Sequence, residues 1–539
     1  MTRPTDHLPA AILENLRARK KRTTLIDSTG ASLNGGEVIV RALVLRSLLR
    51  AHVLQPDEEH VGLLLPPTVA GAVANLTLLL DNRVGVNLNY SLNSETINAA
   101  IRRAGIRHVL TSRKVMDRFN FDLEAEVVYL EDVREKVTTG MKLAAAAQGM
   151  AMPIGLLLKK LGLETPDQGK TLSLLFTSGS TGEPKGVMLT RGNIGANIEA
   201  IASIVRLRPD DVWVGALPFF HAFGLTITLW TAMALPGAAA FHTSPLEPKE
   251  IGRLTRQVRG TLLVSTPSFL RLYERGCSRE ELATLEVILT GAEHLPSALA
   301  DDFERKFGVR PYEGYGATEV APVVAANIPR VRWIDPNRSQ QRDGSVGLPL
   351  PNVQVQVRDR ETGEVLGANR EGLLWVKGPS VMAGYIGRPD LTAEVVVDGW
   401  YNTKDMGRID DDGFIYIAGR ISQFSKIGGE MVPHLAIEDA IHRLVPSDGD
   451  EGPQIAVTGI PHPRKGERIV VLHTKLPLTP AQIVRDLGRD GLPALYIPGE
   501  DSFVEVEALP VLGTGKADLG RIRKMAEAAF DEQGRRIGG

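Results

Sequence analysis

Up to about residue 330 the chain repeats one pattern: a short apolar run, a turn, then an amphipathic helix. This alternation constrains the fold more than any other feature. VGLLLP (61–66), VGVNLN (84–89), HVLTS (108–112), VVYLE (127–131), TLLVSTP (261–267) and LEVILTGAE (285–293) are the clearest strands. Strands that alternate with helices imply right-handed crossovers and parallel sheets covered on both faces, so the predicted class is α/β. From about 345 to 418 the texture changes to short β-rich runs such as VQVQVRDRETGEVL and EGLLWVKG, which predicts a small antiparallel unit. Beyond Gly419 an α+β segment follows, with IAVTGIPHP and RIVVLHTKL as strands and PAQIVRDLG as a helix.

The 539 residues carry 62 Lys plus Arg against 64 Asp plus Glu, a formal charge of −2. That balance gives no general attraction to nucleic acid or anionic lipid, and no nucleic-acid partner is expected. The RARKKR cluster (17–22) reads as the solvated end of a short helix. Cys277 is the only cysteine, so neither an internal disulfide nor a cysteine-based zinc cluster can form, which points to a reducing compartment, by default the cytoplasm. The basic start is followed by no apolar signal-peptide core. Three stretches without charged side chains, 61–80, 143–158 and 212–246, are broken by proline and glycine and do not read as membrane spans.

LLFTSGSTGEPKGVMLT (174–190) carries the most chemistry. An apolar strand runs into a loop with hydroxyls at Thr177, Ser178, Ser180 and Thr181, glycines at 179, 182 and 186, and a cation at Lys185. Glycines let backbone N–H groups turn toward a polyanion, hydroxyls add donors and the lysine adds charge, which suits a phosphate-holding loop. The spacing is neither that of a Walker A loop nor that of a hydrolase elbow. The alternative, a plain Gly/Ser surface loop, suits shorter runs better than this one.

The segment resembles the phosphate-loop signature of the adenylate-forming superfamily of acyl-CoA synthetases, acyl carrier protein synthetases, luciferases and peptide-synthetase adenylation domains. Further matches follow in order: PFFHAFG (218–224), LTGAE (289–293), YEGYGATE (312–319), GWYNTKDMGRIDDDGFIYIAGR (399–420) and PVLGTGK (510–516). The resemblance implies a large N-terminal AMP-binding domain of βα-layered sheets over 1–418, with 345–418 as a β-barrel-like subdomain. It also implies a hinge at 419–422 and a smaller, mobile α+β domain over 423–539.

The implied chemistry is attack of a carboxylate on the ATP α-phosphate, giving acyl-AMP and pyrophosphate, followed by displacement of AMP by a thiol. By the same resemblance, Thr177, Ser178, Gly179, Ser180, Thr181, Gly182 and Lys185 hold the β/γ-phosphates, Thr318 donates to the α-phosphate and Glu319 binds Mg²⁺. Gly291, Ala292, Glu293, Tyr315 and Gly316 match the adenine-contacting elements. Asp405 matches the residue that binds the ribose hydroxyls, with Arg420 as its companion. Lys516 would reach between substrate carboxylate and α-phosphate. His221, in an aromatic run, is either a core residue or a catalytic group at the acyl pocket. Gly224, Gly291 and Ala292 would leave space for the acyl chain. Ser422 falls at the hinge, and Lys426, Gly428 and Gly429 match the loop for thioester formation. At 404 a lysine replaces the family's usual glycine.

VVYLEDVREKVTT (127–139), EGYGATEVAPVVAANIP (313–329) and SKIGGEMV (425–432) look most like the acyl carrier protein synthetase domain fused to a 2-acylglycerophosphoethanolamine acyltransferase. The expected reaction is thus a fatty acid ligation with acyl carrier protein as preferred acceptor and coenzyme A as the alternative. A non-catalytic acyl or nucleotide sensor is a third reading, opposed by retention of Lys185, Glu319, Asp405 and Lys516. Arg330, Arg332, Arg338 and Arg342, or Arg464, Lys465 and Arg468, are candidate docking cations for an acidic carrier. Residues 141–163 are expected to form a broken amphipathic helix. Its stripe of Ile154, Leu157, Leu158 and Leu161 would rest either on the inner face of a membrane or on the protein's own core.

Overall fold

The computed structural model describes residues 2–178, 184–427, 430–445, 454–462, 466–489, 492–511, 517–531 and 535–537. Each apolar run singled out above forms a strand, shorter than its sequence signal because the flanking residues turn. Val84–Asn87, His108–Thr111 and Leu262–Ser265 are buried at every position, as parallel strands covered on both faces must be. Burying one such Val or Leu side chain is worth about 1.5–3 kcal/mol. Helix Ser94–Ala104 shows how the intervening elements are set. Asn93 accepts from the Thr96 N–H at 3.0 Å, Ile97, Ile101 and Ala104 pack inward, and Gly105 at φ 63° ends the helix.

Two sheets result. The seven-stranded sheet runs Gly384–Tyr385, Pro184–Thr190, Thr171–Ser178, Val84–Asn87, His60–Leu63, His108–Thr111, Glu126–Tyr129. The nine-stranded sheet runs Leu348–Pro349, Val323–Ala326, Pro311–Gly316, Val287–Thr290, Leu262–Ser265, Val212–Gly215, Ala238–Phe241, Thr23–Asp27, Ser32–Asn34, parallel in its centre and antiparallel at both edges.

The stretch 345–418 contributes to three sheets. Leu348–Pro349 and Gly384–Tyr385 are edge strands of the two large sheets. Gln354–Arg358, Gly372–Lys377, Val396–Val397, Trp400–Ile409 and Ile415–Arg420 form a separate five-stranded one. Two-residue strands carry no alternation, so sequence pattern cannot assign them to a partner.

The chain divides into two units, one of Met1–Leu295, Leu299–Val355 and Val376–Tyr401, the other of Pro296–Ala298, Gln356–Trp375 and Asn402–Gly539. In the second unit, strands Ile455–His462 and Gly466–His473 pair antiparallel. Their alternation separates two cores. Val457 and Val471 pack with Ile437, Ile441, Ile483 and Leu487, whereas Val470 and Leu472 pack with Ile522, Ala526 and Phe530.

Residues 139–162 form helix Thr139–Ala146, a π turn Ala147–Ala151 and helix Ile154–Leu161, closed by Gly162 at φ 71°. The expected break is present, but the stripe faces inward. Leu157, Leu158 and Leu161 are 0%, 5% and 5% exposed, so they pack on the protein's own core and cannot rest on a membrane. Among the described residues no helix is long and apolar enough to cross a membrane.

Candidate active site

The phosphate-loop segment is a β-hairpin. Strand Thr171–Ser178 pairs antiparallel with Pro184–Thr190, placing Thr177 opposite Lys185, and the Thr177 hydroxyl donates to the Lys185 carbonyl at 3.5 Å. Gly179, Ser180, Thr181 and Gly182 lie outside the described residues. Lys185 is half-buried, and its ammonium stands 5.5 Å from the centre of the Tyr385 ring. Tyr385 reaches this place because Gly384–Tyr385 pairs with Val187 and Met188. Its hydroxyl donates to Oε1 of Glu319 at 2.8 Å, and the Glu319 carbonyl accepts from the Met382 N–H at 2.8 Å. Lys185 and Glu319 are thus brought together around a tyrosine that sequence reasoning missed. The available signal was a Gly-Tyr pair in a segment read as part of another unit.

Thr318 and Glu319 lie in the turn Thr318–Val320, which reverses strand Pro311–Gly316 into Val323–Ala326. Gly316 is obligatory there, since a Cβ would stand 1.9 Å from the Pro322 carbonyl oxygen. Tyr315, half-buried, is paired with Ala325 on the same hairpin. Its parallel neighbour Val287–Thr290 delivers Gly291, Ala292 and Glu293 at its C-terminal end, with Thr290 opposite Glu313. Ala292 sits at φ 73°, the left-handed region that disfavours any residue with a Cβ. Glu293 is engaged locally: its Oε2 accepts from the Ser268 N–H at 3.1 Å and the Ser268 hydroxyl at 2.6 Å, at the start of helix Pro267–Gly276.

His221 is half-buried, its ring 5.1 Å from that of Phe220. It precedes the buried helical segment Phe223–Ala234. Gly224 leaves no room for an acyl chain, because a Cβ would come within 2.5 Å of the Leu217 and Pro218 carbonyl oxygens; the glycine is there for the turn. A Cβ on Gly291 would stand 3.3 Å from Phe223. A small apolar cavity lies against the nine-stranded sheet. Ile201, Trp213, Ile227, Leu289, Val323 and Ala326 are among its lining residues.

In the second unit Asp405 is buried and registered opposite Arg420, whose Nε lies 3.1 Å from its Oδ1. The Asp405 N–H donates to Thr403, whose hydroxyl donates to the Leu374 carbonyl at 2.9 Å. Lys404 is exposed and holds φ 61°, which explains the usual glycine at this position by backbone conformation. Ser422 is exposed in the turn Ile421–Gln423. Lys426 is exposed on strand Phe424–Ile427, and its N–H donates to Glu467 at 2.7 Å. Gly428, Gly429 and Lys516 lie outside the described residues.

Two of the candidate docking cations are otherwise committed. Arg332 is fully buried against Asp211 at 2.7 Å and Glu286 at 3.0 Å, and Arg468 binds Asp501 at 2.7 Å. Arg464 and Lys465 lie outside the described residues.

A hairpin carrying Lys185 and a turn carrying Glu319, joined through Tyr385, define a nucleotide- and acid-handling α/β enzyme of the adenylate-forming kind. The AMP-binding enzyme family model matches residues 13–386, and the chain belongs to that family. A long-chain-fatty-acid–CoA ligase of Bacillus subtilis is 27% identical, over 85% of this chain and 84% of its own length. Another, from Yersinia pestis, is 29% identical over 84% of each. Among solved structures, ATP-bound MatB of Rhodopseudomonas palustris has a TM-score of 0.78 at 25% identity, covering 96% of this chain and 98% of that one. The chain is accordingly an enzyme of the acid–thiol ligase type that uses ATP with Mg²⁺. Glu319 fits that metal, which takes oxygen ligands and is commonly held by one or two carboxylates together with substrate phosphates. Among the described residues no cluster of three or more His, Cys, Asp or Glu side chains competes with it.

Proposed function

We propose that this enzyme is a fatty acid–coenzyme A ligase. The observation that carries this reading is the similarity, over 84–85% of this chain, to two long-chain-fatty-acid–CoA ligases. The names of the two relatives above agree with such a substrate.

In the first step a carboxylate oxygen attacks the α-phosphorus of ATP, and the bond to pyrophosphate breaks. Charge grows on the phosphates, so positioned cations and donors are what lowers the barrier. Lys185, Thr177, Ser178, Gly179, Ser180, Thr181 and Gly182 would hold the β/γ-phosphates, and Thr318 the α-phosphate. Glu319, oriented by Tyr385, would hold Mg²⁺, which neutralises phosphate charge when bound. Tyr315, Gly316 and the backbone of Gly291 and Ala292 would flank adenine; Glu293, held by Ser268, would shape that wall from outside. Asp405 would accept the ribose hydroxyls, steadied by Arg420, and Lys516 would complete the charge at the reacting oxygens. In the second step a thiol attacks the acyl carbon and AMP leaves, with Ser422 as the hinge and Lys426, Gly428 and Gly429 as the loop for this half-reaction. His221 would stand at the carboxyl end of the acyl chain.

The phrases at 127–139, 313–329 and 425–432 rank acyl carrier protein first as acceptor. The names of the relatives, and the internal ion pairs of Arg332 and Arg468, favour coenzyme A. We place the enzyme in the cytoplasm, since Cys277 is buried and its thiol pushed up to about 12 by burial, a poor candidate for any disulfide. The test offers one panel of fatty acids to coenzyme A and to holo-carrier protein in parallel. Faster thioester formation on coenzyme A is expected, and a tenfold preference for carrier protein would restore the other ranking.

A further inference from the structure

Leu157, Leu158 and Leu161 pack inward, yet two other leucines of the two-helix segment are uncovered. Leu143 is 67% exposed and Leu156 is 57% exposed, the latter sharing its helical face with Lys159 and Lys160 three and four residues on. Leu143 stands beside Lys142, and four residues on is the exposed Ala147. Between Lys136 and Leu163 there is no aspartate or glutamate, with Glu135 and Glu164 at the borders.

A second basic element lies against this segment. Arg17, near the end of helix Pro4–Ala18, donates through Nε to the Gly149 carbonyl at 2.6 Å and through Nη2 to the Gln148 carbonyl at 3.4 Å. Gly149 in turn lies against Ile39 and Leu43 of helix Gly35–His52, and Lys20 packs at the start of that helix, against Gly36. The RARKKR cluster therefore does more than end a helix. Arg17 fixes the π turn, and Lys20, Lys21 and Arg22, three to five residues further along the chain, are exposed. Among the described residues none of Lys20, Lys21, Arg22, Lys142, Lys159 or Lys160 is in an ion pair.

We propose that these six cations, with Leu143 and Leu156, form a surface that docks on an anionic lipid bilayer. Exposed leucines gain from entering the acyl boundary, and lysines beside them can lay their methylene stems along it while their charges stay at the headgroups. A nucleic acid would use the cations and leave the leucines wet. Each cation near an anionic surface contributes additively to attraction that salt screens. Docking would put the enzyme where fatty acid is dissolved. That purpose rests on the fatty-acid reading, whereas the docking does not.

The test is flotation of the full chain with vesicles of phosphatidylcholine alone and with an equal share of phosphatidylglycerol, at low and high salt. Binding only to the anionic vesicles, weakened by salt, is expected. K20Q/K21Q/R22Q should weaken it by about fivefold per cation, roughly a hundredfold in all. L143E/L156E should weaken it at least about tenfold, with L143Q/L156Q as the milder pair should the acidic one misfold. All variants should keep vesicle-free pyrophosphate exchange, because none touches the proposed site. Absence of wild-type flotation, equal binding to both vesicle types, or variants that float like wild type would overturn the proposal. So would salt-sensitive capture of acidic carrier protein without vesicle binding, which would assign the face to a protein. Flotation by a protein inactive on every fatty acid would uphold the docking and reject the substrate.

Discussion

The hydroxyl of Tyr385 donates to Glu319 at 2.8 Å while the face of its ring stands 5.5 Å from the ammonium of Lys185. One side chain from a two-residue edge strand thus orients the carboxylate and flanks the cation on which the proposed phosphate chemistry depends. Tyr385→Phe removes a hydrogen bond to a charged group, worth about 2 kcal/mol, and should lower adenylation roughly thirtyfold at limiting Mg²⁺, less at saturation. Titrating Mg²⁺ in a pyrophosphate-exchange assay checks this; a loss equal at all Mg²⁺ concentrations would detach Tyr385 from the metal site.

Lys404→Gly should raise the stability of the second unit by up to about 1 kcal/mol, because glycine holds the φ of 61° seen at Lys404 without a Cβ penalty. Nucleotide affinity should not change, since the lysine side chain is exposed and its backbone conformation is kept. Chemical denaturation and ATP binding of the same variant separate the two effects.

The parallel cores and the order of the site motifs were legible in the sequence because buried strands leave uninterrupted apolar runs and ligand loops leave dense Gly, Ser and Thr. Partnerships made by one or two residues were not. Nothing about Gly384–Tyr385 says that it completes the sheet holding Lys185. The helix around Leu157 was legible as an amphipathic element, yet a stripe of leucines looks the same whether it meets lipid or protein, so the covered face had to be seen. Glu293 and Gly224 show the same limit. A motif fixes their positions, but Ser268 and the Leu217 carbonyl decide what they touch.

His434 is buried beside Ser425, with its Nε2 2.8 Å from the hydroxyl, and burial pulls its pKa down to about 4. An unfolded histidine takes a proton near pH 6.5. Between those values the unfolded chain binds a proton that the folded unit does not, so stability is full above pH 6.5 and falls as pH drops toward 4. The loss reaches about 3 kcal/mol. Unfolding of the second unit followed from pH 7 to 4 should show this slope, and His434→Gln should flatten it; an unchanged slope would place the effect elsewhere.

Lys516→Ala should depress acyl-AMP formation about 10² to 10³-fold, the effect of removing one group that stabilises the transition state. ATP binding should be largely kept, and supplied acyl-AMP should still be converted to thioester. Measuring both half-reactions in one preparation checks the division; loss of the second as well would show that the lysine is not specific to adenylation.

The central claim is that a fatty acid is adenylated at the site formed around Lys185, Tyr385 and Glu319. It is tested most directly by ATP–pyrophosphate exchange across straight-chain acids of increasing length, alongside aromatic acids and short dicarboxylic acids. Exchange that rises with chain length and is weak with the aromatic and dicarboxylic acids is the predicted result. Strong exchange with an aromatic acid and none with any fatty acid would contradict it.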